Sequence, residues 1–267
     1  MPEVRLTSKR NPRVQAAVAL RERRTRDRSG LTLVDGSREL ARALAGGAAV
    51  VDVYVDEARL DPTALAVVDA ARSAGAEVVP VAAPVLDRLA YGDRSEGIVA
   101  VARIPDLSLA ALRLPPHPLL VVVEGVEKPG NLGAILRSAD AAGADAVVAS
   151  DPLTDLFNPN AIRASLGTIF ALPVAAGPGA QVRAFLHGEG IRPVAARVEA
   201  ATLYTDADLR GSVALVLGSE AEGLTDAWRG EDVLAIRLPM LGVADSLNVS
   251  VAAAVLLYEA RRQRSAN

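Results

Sequence analysis

The chain has no cysteine among its 267 residues. That excludes disulfides, thiolate metal sites and a cysteine nucleophile. It has two histidines, His117 and His187, far apart in sequence. A His-rich metal site is excluded too, and a Ser-His-Asp triad has little to be built from. Aromatic residues are 3% of the chain, so the core must come from Ala, Val and Leu. No apolar run reaches the roughly 18 residues that span a bilayer. The first stretch, MPEVRLTSKRNPRV, lacks the apolar segment of a secretory signal. These absences point to a soluble, cytoplasmic protein with no membrane partner and no metal.

Apolar residues are 51% of the chain, enough for a sizeable core, and the length suits one large domain or two ordinary ones. The net charge of −3 hides an asymmetry. Residues 1–29 carry nine Lys+Arg against three Asp+Glu, a charge of +6, which leaves −9 on the rest. A basic arm on an acidic body suits contact with phosphate. A solvated charged helix is the plainer explanation of the same run.

Asn11 to Arg28 places apolar residues among arginines at helical spacing and predicts one basic amphipathic helix. From Leu31 to Arg103, short apolar strands alternate with helices, which predicts a small α/β domain. Pro105 and then LPPHP mark a linker over 104–118. Beyond it the strands are longer and apolar throughout, as in a parallel sheet buried on both faces. Leu119–Gly125, Ala146–Ser150, Ile169–Ala175, Arg192–Arg197, Val213–Gly218 and Val233–Leu238 are the expected strands. The expected helices include 132–142, 160–166, 180–187 and 249–264. The expected domains are therefore 1–103 and 119–267, the second a parallel α/β sheet with helices on both faces.

In such a sheet, ligands bind where the C-terminal ends of strands meet helix N-termini. Three loops fall at such ends. The first, EGVEKPGNLG, looks superficially like a phosphate-binding loop, but Asn131 and Leu132 stand where its Lys and Ser/Thr belong. No G-x-G-x-x-G follows a strand, which counts against a dinucleotide enzyme. Asn131 sits where a helix cap would, and Arg137 lies six residues on, where it could simply pair with Asp140. The second loop is GSEAEG, residues 218–223, whose glycines allow backbone to approach a ligand. The third is PMLGVADSLNVS, with Ser246 and Asn248 flanking Leu247; either polar residue could cap the last helix. In DLFNPNAIRASLGTIF, Asn158, Asn160 and Arg163 stand near a helix start, as caps or as phosphate contacts.

Taken together and in this order, NLGAILRSADAAG, LVLGSEAEGL and IRLPMLGVADSLNVSVAAAVLLYEA resemble the SpoU (TrmH-like) branch of the SPOUT RNA methyltransferases. The resemblance implies a deep trefoil knot in the second domain, which no periodicity would suggest. It implies S-adenosylmethionine as cofactor, held by Leu217, Gly218, Ile236, Met240, Ser246 and Leu247. It implies Asn131, Arg137, Glu220, Ser246 and Asn248 as catalytic residues at a ribose 2′-hydroxyl. A guanidinium stays protonated and is a poor base; anchoring phosphate or stabilising a developing alkoxide is easier chemistry for Arg137. The first hundred residues resemble, more loosely, the ribosomal-protein-like substrate-binding domain of the family, through LTLVDGSRELARAL and SEGIVAVAR. That implies RNA rather than DNA as partner, and 23S rRNA ahead of tRNA, with Lys9, Arg10, Arg13 and Arg163 as RNA contacts. The family also implies a homodimer, with Val251, Val255, Leu256 and Tyr258 of the last helix on offer for the contact or for the core. Some relatives protect the ribosomes of antibiotic producers, a role the sequence does not separate from housekeeping modification. A non-catalytic RNA-binding protein on the same fold is the rival from another class; S-adenosylmethionine binding separates the two.

Overall fold

The structure, a computed structural model, describes residues 5–91, 96–219 and 222–265. In chain order its first hundred residues form α1 (Pro12–Ala19), α2 (Arg23–Ser29), β1 (Leu31–Asp35), α3 (Ser37–Ala45), β2 (Val50–Val55), α4 (Pro62–Ser73), β3 (Glu77–Pro80), α5 (Ala83–Leu89) and β4 (Ile98–Arg103). Then come β5 (Leu119–Glu124), α6 (Pro129–Ala142), β6 (Ala146–Ser150), α7 (Pro159–Ala164), β7 (Val174–Gly177), α8 (Gly179–Gly188), β8 (Arg192–Ala196), β9 (Thr202–Leu203), β10 (Val213–Leu217), β11 (Leu234–Arg237) and α9 (Val249–Ser265). Three helices start on an Asx–Pro pair. Asn11, Asp61 and Asn158 each accept a backbone N–H with the side chain, and the proline that follows opens the helix.

The chain divides into two compact units, and the division does not follow the linker alone. The first unit is residues 1–105 together with Asp155–Ala171; the second is 106–154 with 172–267. In the first, four strands run in the order β1-β4-β2-β3, antiparallel except for β2 with β3. Its core gathers Val14, Ala17 and Leu20 of the N-terminal segment with Leu33, Tyr54, Val81, Leu86 and Val99. The expected single N-terminal helix is two helices, broken at 20–22, because Leu20 turns into this core while Arg26 is needed elsewhere.

Arg26 is 1% exposed and ion-pairs with Asp155 at 2.6 Å, while its Nη1 donates to the carbonyls of Leu20 and Arg21. Asp155–Ala171 is anchored to the first unit at further points. The Thr32 hydroxyl donates to the Phe157 carbonyl at 2.7 Å, and Arg42 donates to the Leu166 carbonyl at 2.6 Å. Gly46 lies so close to the Phe170 carbonyl that a Cβ there would come within 1.9 Å of it. Phe157, Ile162 and Ile169 are buried, so a chain cut at residue 104 would expose all three. The stretch expected as strand, Ile169–Ala175, is instead a short 3-10 turn over Thr168–Phe170 followed by β7.

The second unit carries a seven-stranded sheet, β7-β6-β5-β10-β8-β11-β9, parallel throughout. Leu120, Val122, Val148, Ala175, Ala214 and Val216 line one face with Val182 and Leu186 of α8. Residues alternate across a strand, so Leu119, Val121, Val123 and Leu215, also buried, face the other side. There α6 and α9 pack on one another and reach β6 and β10. Burial on both faces explains why these strands read as continuous apolar runs. Since all seven strands point one way, the loops after β5, β10 and β11 emerge at one edge.

Candidate functional site

Helix α6 begins at Pro129, so Asn131 lies inside its first turn and is not its cap. Its side chain meets the third loop: Asn248 Nδ2 donates to Asn131 Oδ1 at 3.3 Å, across 117 residues of sequence. Asn248 also caps α9, its Oδ1 accepting from Ser250 N at 2.9 Å and from the Ser250 hydroxyl at 2.6 Å. The cap and the expected catalytic residue are therefore the same: the oxygen holds the helix and the amide nitrogen reaches the other loop. Ser246 is exposed on the same loop and Leu247 is 41% exposed. Arg137 stands exposed on α6 and makes no hydrogen bond or ion pair with any described residue; a pairing with Asp140 does not form. Glu220 lies outside the described residues.

The second loop is tight. Gly223 N donates to Ser219 O at 3.0 Å and Glu222 N to the Ser219 hydroxyl at 3.1 Å. Gly223 takes a positive φ of 68°, and a Cβ on it would meet open space. At Gly218 the reverse holds: a Cβ would lie 2.1 Å from the Gly223 carbonyl carbon, so only glycine lets the loop fold back on itself. Gly125 of the first loop sits against Ser219, with an added Cβ 3.5 Å from the serine Cβ. Among the expected cofactor residues Leu217 and Ile236 are buried, Gly218 and Met240 half-buried, and none carries charge. An uncharged set of backbone and apolar groups fits a sulfonium cofactor.

The expected RNA contacts are placed unevenly. Lys9 and Arg10 are exposed. Arg13 is drawn inward, paired with Asp52 at 2.6 Å and with Glu77, and those carboxylates hold its guanidinium charged well above the ordinary arginine range. Arg163 donates to the Tyr91 carbonyl and lies 3.6 Å from Asp35. It lines a cavity of about 200 Å³ with Asp35, Gly36, Arg38, Glu39, Glu96 and Leu166. Burial pushes the Asp35 carboxyl up to about 6, against the opposing pull of the Tyr91 N–H and Arg163, and burial raises Glu39 as well. In α9, Leu256 belongs to the core at 1% exposure, whereas Val251 and Tyr258 are 47% and 54% exposed.

Sequence reasoning passed over Glu124, Arg197 and Trp228, which are buried beside the second loop. Glu124 fell within the expected strand Leu119–Gly125 and was not singled out. The signals were there: an acid inside a buried run, and the single tryptophan of a chain poor in aromatics.

With this geometry in place, comparison with known proteins decides the family. Residues 118–258 match the model of the SpoU rRNA methylase family. The chain belongs to the SpoU rRNA methylase family. Residues 11–100 match the MRM3-like substrate-binding domain, so the SpoU core is preceded by a substrate-binding domain as expected. The 23S rRNA (guanosine-2′-O-)-methyltransferase RlmB of Bordetella pertussis is 38% identical over 220 residues, 80% of this chain and 90% of that one. A crystal structure of an RNA 2′-O ribose methyltransferase matches with a TM-score of 0.84 at 42% identity, covering 97% of this chain and 99% of the other. The SpoU methyltransferase AviRb from Streptomyces viridochromogenes, in complex with AdoMet, matches with a TM-score of 0.88 at 31% identity, covering 97% and 100%. This SpoU member is an S-adenosylmethionine-dependent RNA ribose 2′-O-methyltransferase. Among the described residues no cluster of His, Cys, Asp or Glu could hold a metal, and no helix is long and apolar enough to cross a membrane.

Proposed function

We propose that this SpoU enzyme methylates a ribose 2′-hydroxyl of 23S rRNA in the cytoplasm. The observation that carries the reading is the Asn248–Asn131 hydrogen bond, which joins the first and third loops at the edge where all the parallel strands end. The named activity of RlmB on 23S rRNA and the match to a substrate-binding domain support the large RNA over tRNA.

S-adenosylmethionine, when bound, supplies an electrophilic methyl group and departs as a neutral thioether. The protein then needs few groups: it must hold the acceptor in line and help its proton leave. Leu217, Gly218, Ile236, Met240, Ser246 and Leu247 hold the cofactor by backbone and apolar contact. Asn131 and Asn248, locked to one another, orient the acceptor ribose together with Ser246 and Glu220. Arg137 keeps its charge and is free of internal partners among the described residues. It is assigned to the neighbouring phosphate or to the alkoxide that develops as the proton leaves. Lys9, Arg10, Arg13 and Arg163 remain the proposed RNA contacts, with Lys9 and Arg10 the readiest.

The reading includes a homodimer and the knot. Leu241 and Val243 are 96% and 103% exposed on the third loop, and Val251 and Tyr258 of α9, which follows that loop, are exposed as well. So much apolar surface beside one site calls for a partner surface. The late strand β10 lies between the earlier β5 and β8, an order compatible with threading. The test is incubation of the whole chain with labelled S-adenosylmethionine and either 23S rRNA or tRNA. Label in a 2′-O-methylnucleoside of the 23S rRNA supports the reading; label in tRNA alone, or in a base, refutes it.

A further inference from the structure

Beside the second loop lies a set of buried polar groups to which the reaction described above assigns no part. Glu124, the last residue of β5, is 5% exposed. Its carboxylate accepts the Thr225 N–H at 2.8 Å, the Thr225 hydroxyl at 2.8 Å and the Trp228 indole N–H at 2.9 Å. No basic side chain pairs with it among the described residues. Arg197 follows β8 directly, and its side chain is 8% exposed. Its guanidinium donates to the Leu224 carbonyl at 3.1 Å and to the Thr225 carbonyl. The N–H of Thr225 is thus held by an anion and its C=O by a cation.

The two holders come from opposite sides. β10 lies between β5 and β8 in the sheet, and the loop it feeds is gripped by the ends of both neighbours. The loop is closed within itself by the Ser219–Gly223 bridge. Of the described residues, Gly218 is fixed by following β10, Ser219 and Gly223 by the bridge between them, and Thr225 by Glu124 and Arg197. Burying a carboxylate and a guanidinium carries a desolvation cost that an apolar contact at a strand end would avoid. Charged hydrogen bonds return something an apolar contact lacks, a backbone held in one place and one direction.

We propose that Glu124 and Arg197 are positioning residues for S-adenosylmethionine, which act through Thr225 to keep the backbone of Leu217 and Gly218 where the cofactor meets it. The proposal rests on the functional reading above. Removing either group loosens the exit of the loop, weakens cofactor binding and leaves RNA binding alone. Trp228 reports the state of the clasp, since it is the single tryptophan of the chain and donates to Glu124.

The test uses the whole chain, with S-adenosylmethionine binding read by calorimetry and Trp228 read by fluorescence. Glu124→Gln sets an amide NH2 against at least one of the three donors that the carboxylate accepts, and Thr225→Val removes the hydroxyl while keeping the branched shape; Thr225→Ser restores it. The expected result is a cofactor Kd raised at least tenfold in Glu124→Gln and in Arg197→Met. A smaller rise is expected in Thr225→Val, with near wild-type affinity in Thr225→Ser. The KM for S-adenosylmethionine rises with that for RNA unchanged, and the Trp228 emission maximum moves in Glu124→Gln. A residue that only stabilised the fold would lower the melting temperature and leave the cofactor KM of the folded fraction as it was. Should Glu124→Gln fail to fold, the Thr225 pair decides. Wild-type protein that binds no S-adenosylmethionine overturns the functional reading itself. Wild-type binding with folded variants that bind as tightly overturns the clasp alone.

Discussion

The contact between Asn131 and Asn248 lends itself to a double-mutant cycle. Asn248→Ala removes a helix cap, worth about 1 kcal/mol, together with the bond to Asn131, worth roughly 0.5–1.5 kcal/mol net. The expected loss is therefore about 2 kcal/mol, or roughly 4–8 °C in melting temperature for a unit of this size. Asn131→Ala removes the shared bond and leaves the cap in place, and the shared bond accounts for about 1 kcal/mol of its expected cost. The double variant should fall short of the sum by the value of that bond, about 1 kcal/mol, because the pair is in direct contact at 3.3 Å. The functional reading adds a second, larger effect. If the pair orients the acceptor ribose, each single variant loses at least tenfold in kcat, beyond anything a 1–2 kcal/mol loss of a stable fold produces at 25 °C. Urea melts give the stabilities and turnover with 23S rRNA gives the rates. Additive stabilities would show that the bond does not form. Wild-type kcat in a folded Asn131→Ala would show that the two asparagines hold only the helices.

Gly218→Ala places a Cβ 2.1 Å from the backbone of Gly223 and is expected to weaken S-adenosylmethionine binding at least tenfold by calorimetry, with the damage coming from the displaced loop rather than from a clash with the cofactor. Asp35, with a folded value of about 6 against 3.8 unfolded, binds its proton more readily in the fold, so its contribution to stability falls as pH rises from about 4 to 6. Asp35→Asn should remove that fall, on the order of 2–3 kcal/mol, and the melting-temperature gap between variant and wild type should be wider at pH 8 than at pH 4.5; an equal gap at both contradicts the shift. Lys9, Arg10, Arg24 and Arg28 are exposed and make no ion pair among the described residues, whereas Arg5, Arg13 and Arg26 are paired internally. Changing those four to Gln should flatten the plot of log K against log salt by up to roughly 3 in slope, at about 0.7 per phosphate contact on unpaired RNA, and an unchanged slope would show that RNA binds elsewhere.

The second unit was readable because burial on both faces leaves an unbroken apolar run for each strand, and glycines mark where each run opens into a loop. Asn131 and Asn248 could be named one at a time, but their contact, 117 residues apart, leaves no local trace. The same limit hid the placement of Asp155–Ala171. Its anchors are Arg26, Thr32 and Arg42, more than a hundred residues upstream, and nothing local marks any of them for that contact. Arg13 and Arg26 were counted with the phosphate-seeking charges of the N-terminal arm for that reason. The arm's helix broke in two because the demands on Leu20 and Arg26 conflict, and a smooth amphipathic pattern does not register a conflict six residues apart. An acid at the end of a buried run was a signal at Glu124, but its donors, Thr225 and Trp228, lie 101 and 104 residues downstream, so its role could not be read locally.

The central proposal is ribose methylation of 23S rRNA with Arg137 as a catalytic residue, at the neighbouring phosphate or at the reacting oxygen. The most direct measurement transfers labelled methyl from S-adenosylmethionine to 23S rRNA, using the wild type and Arg137→Ala side by side, and maps the product by a primer-extension stop at low nucleotide concentration. The account predicts one strong 2′-O-methyl stop with the wild type. It predicts at least a hundredfold less product with the variant, whose cofactor affinity and melting temperature stay near wild type because Arg137 has no internal partner to lose among the described residues. Near wild-type turnover in Arg137→Ala, or a wild type that leaves no 2′-O-methyl on 23S rRNA, would contradict it.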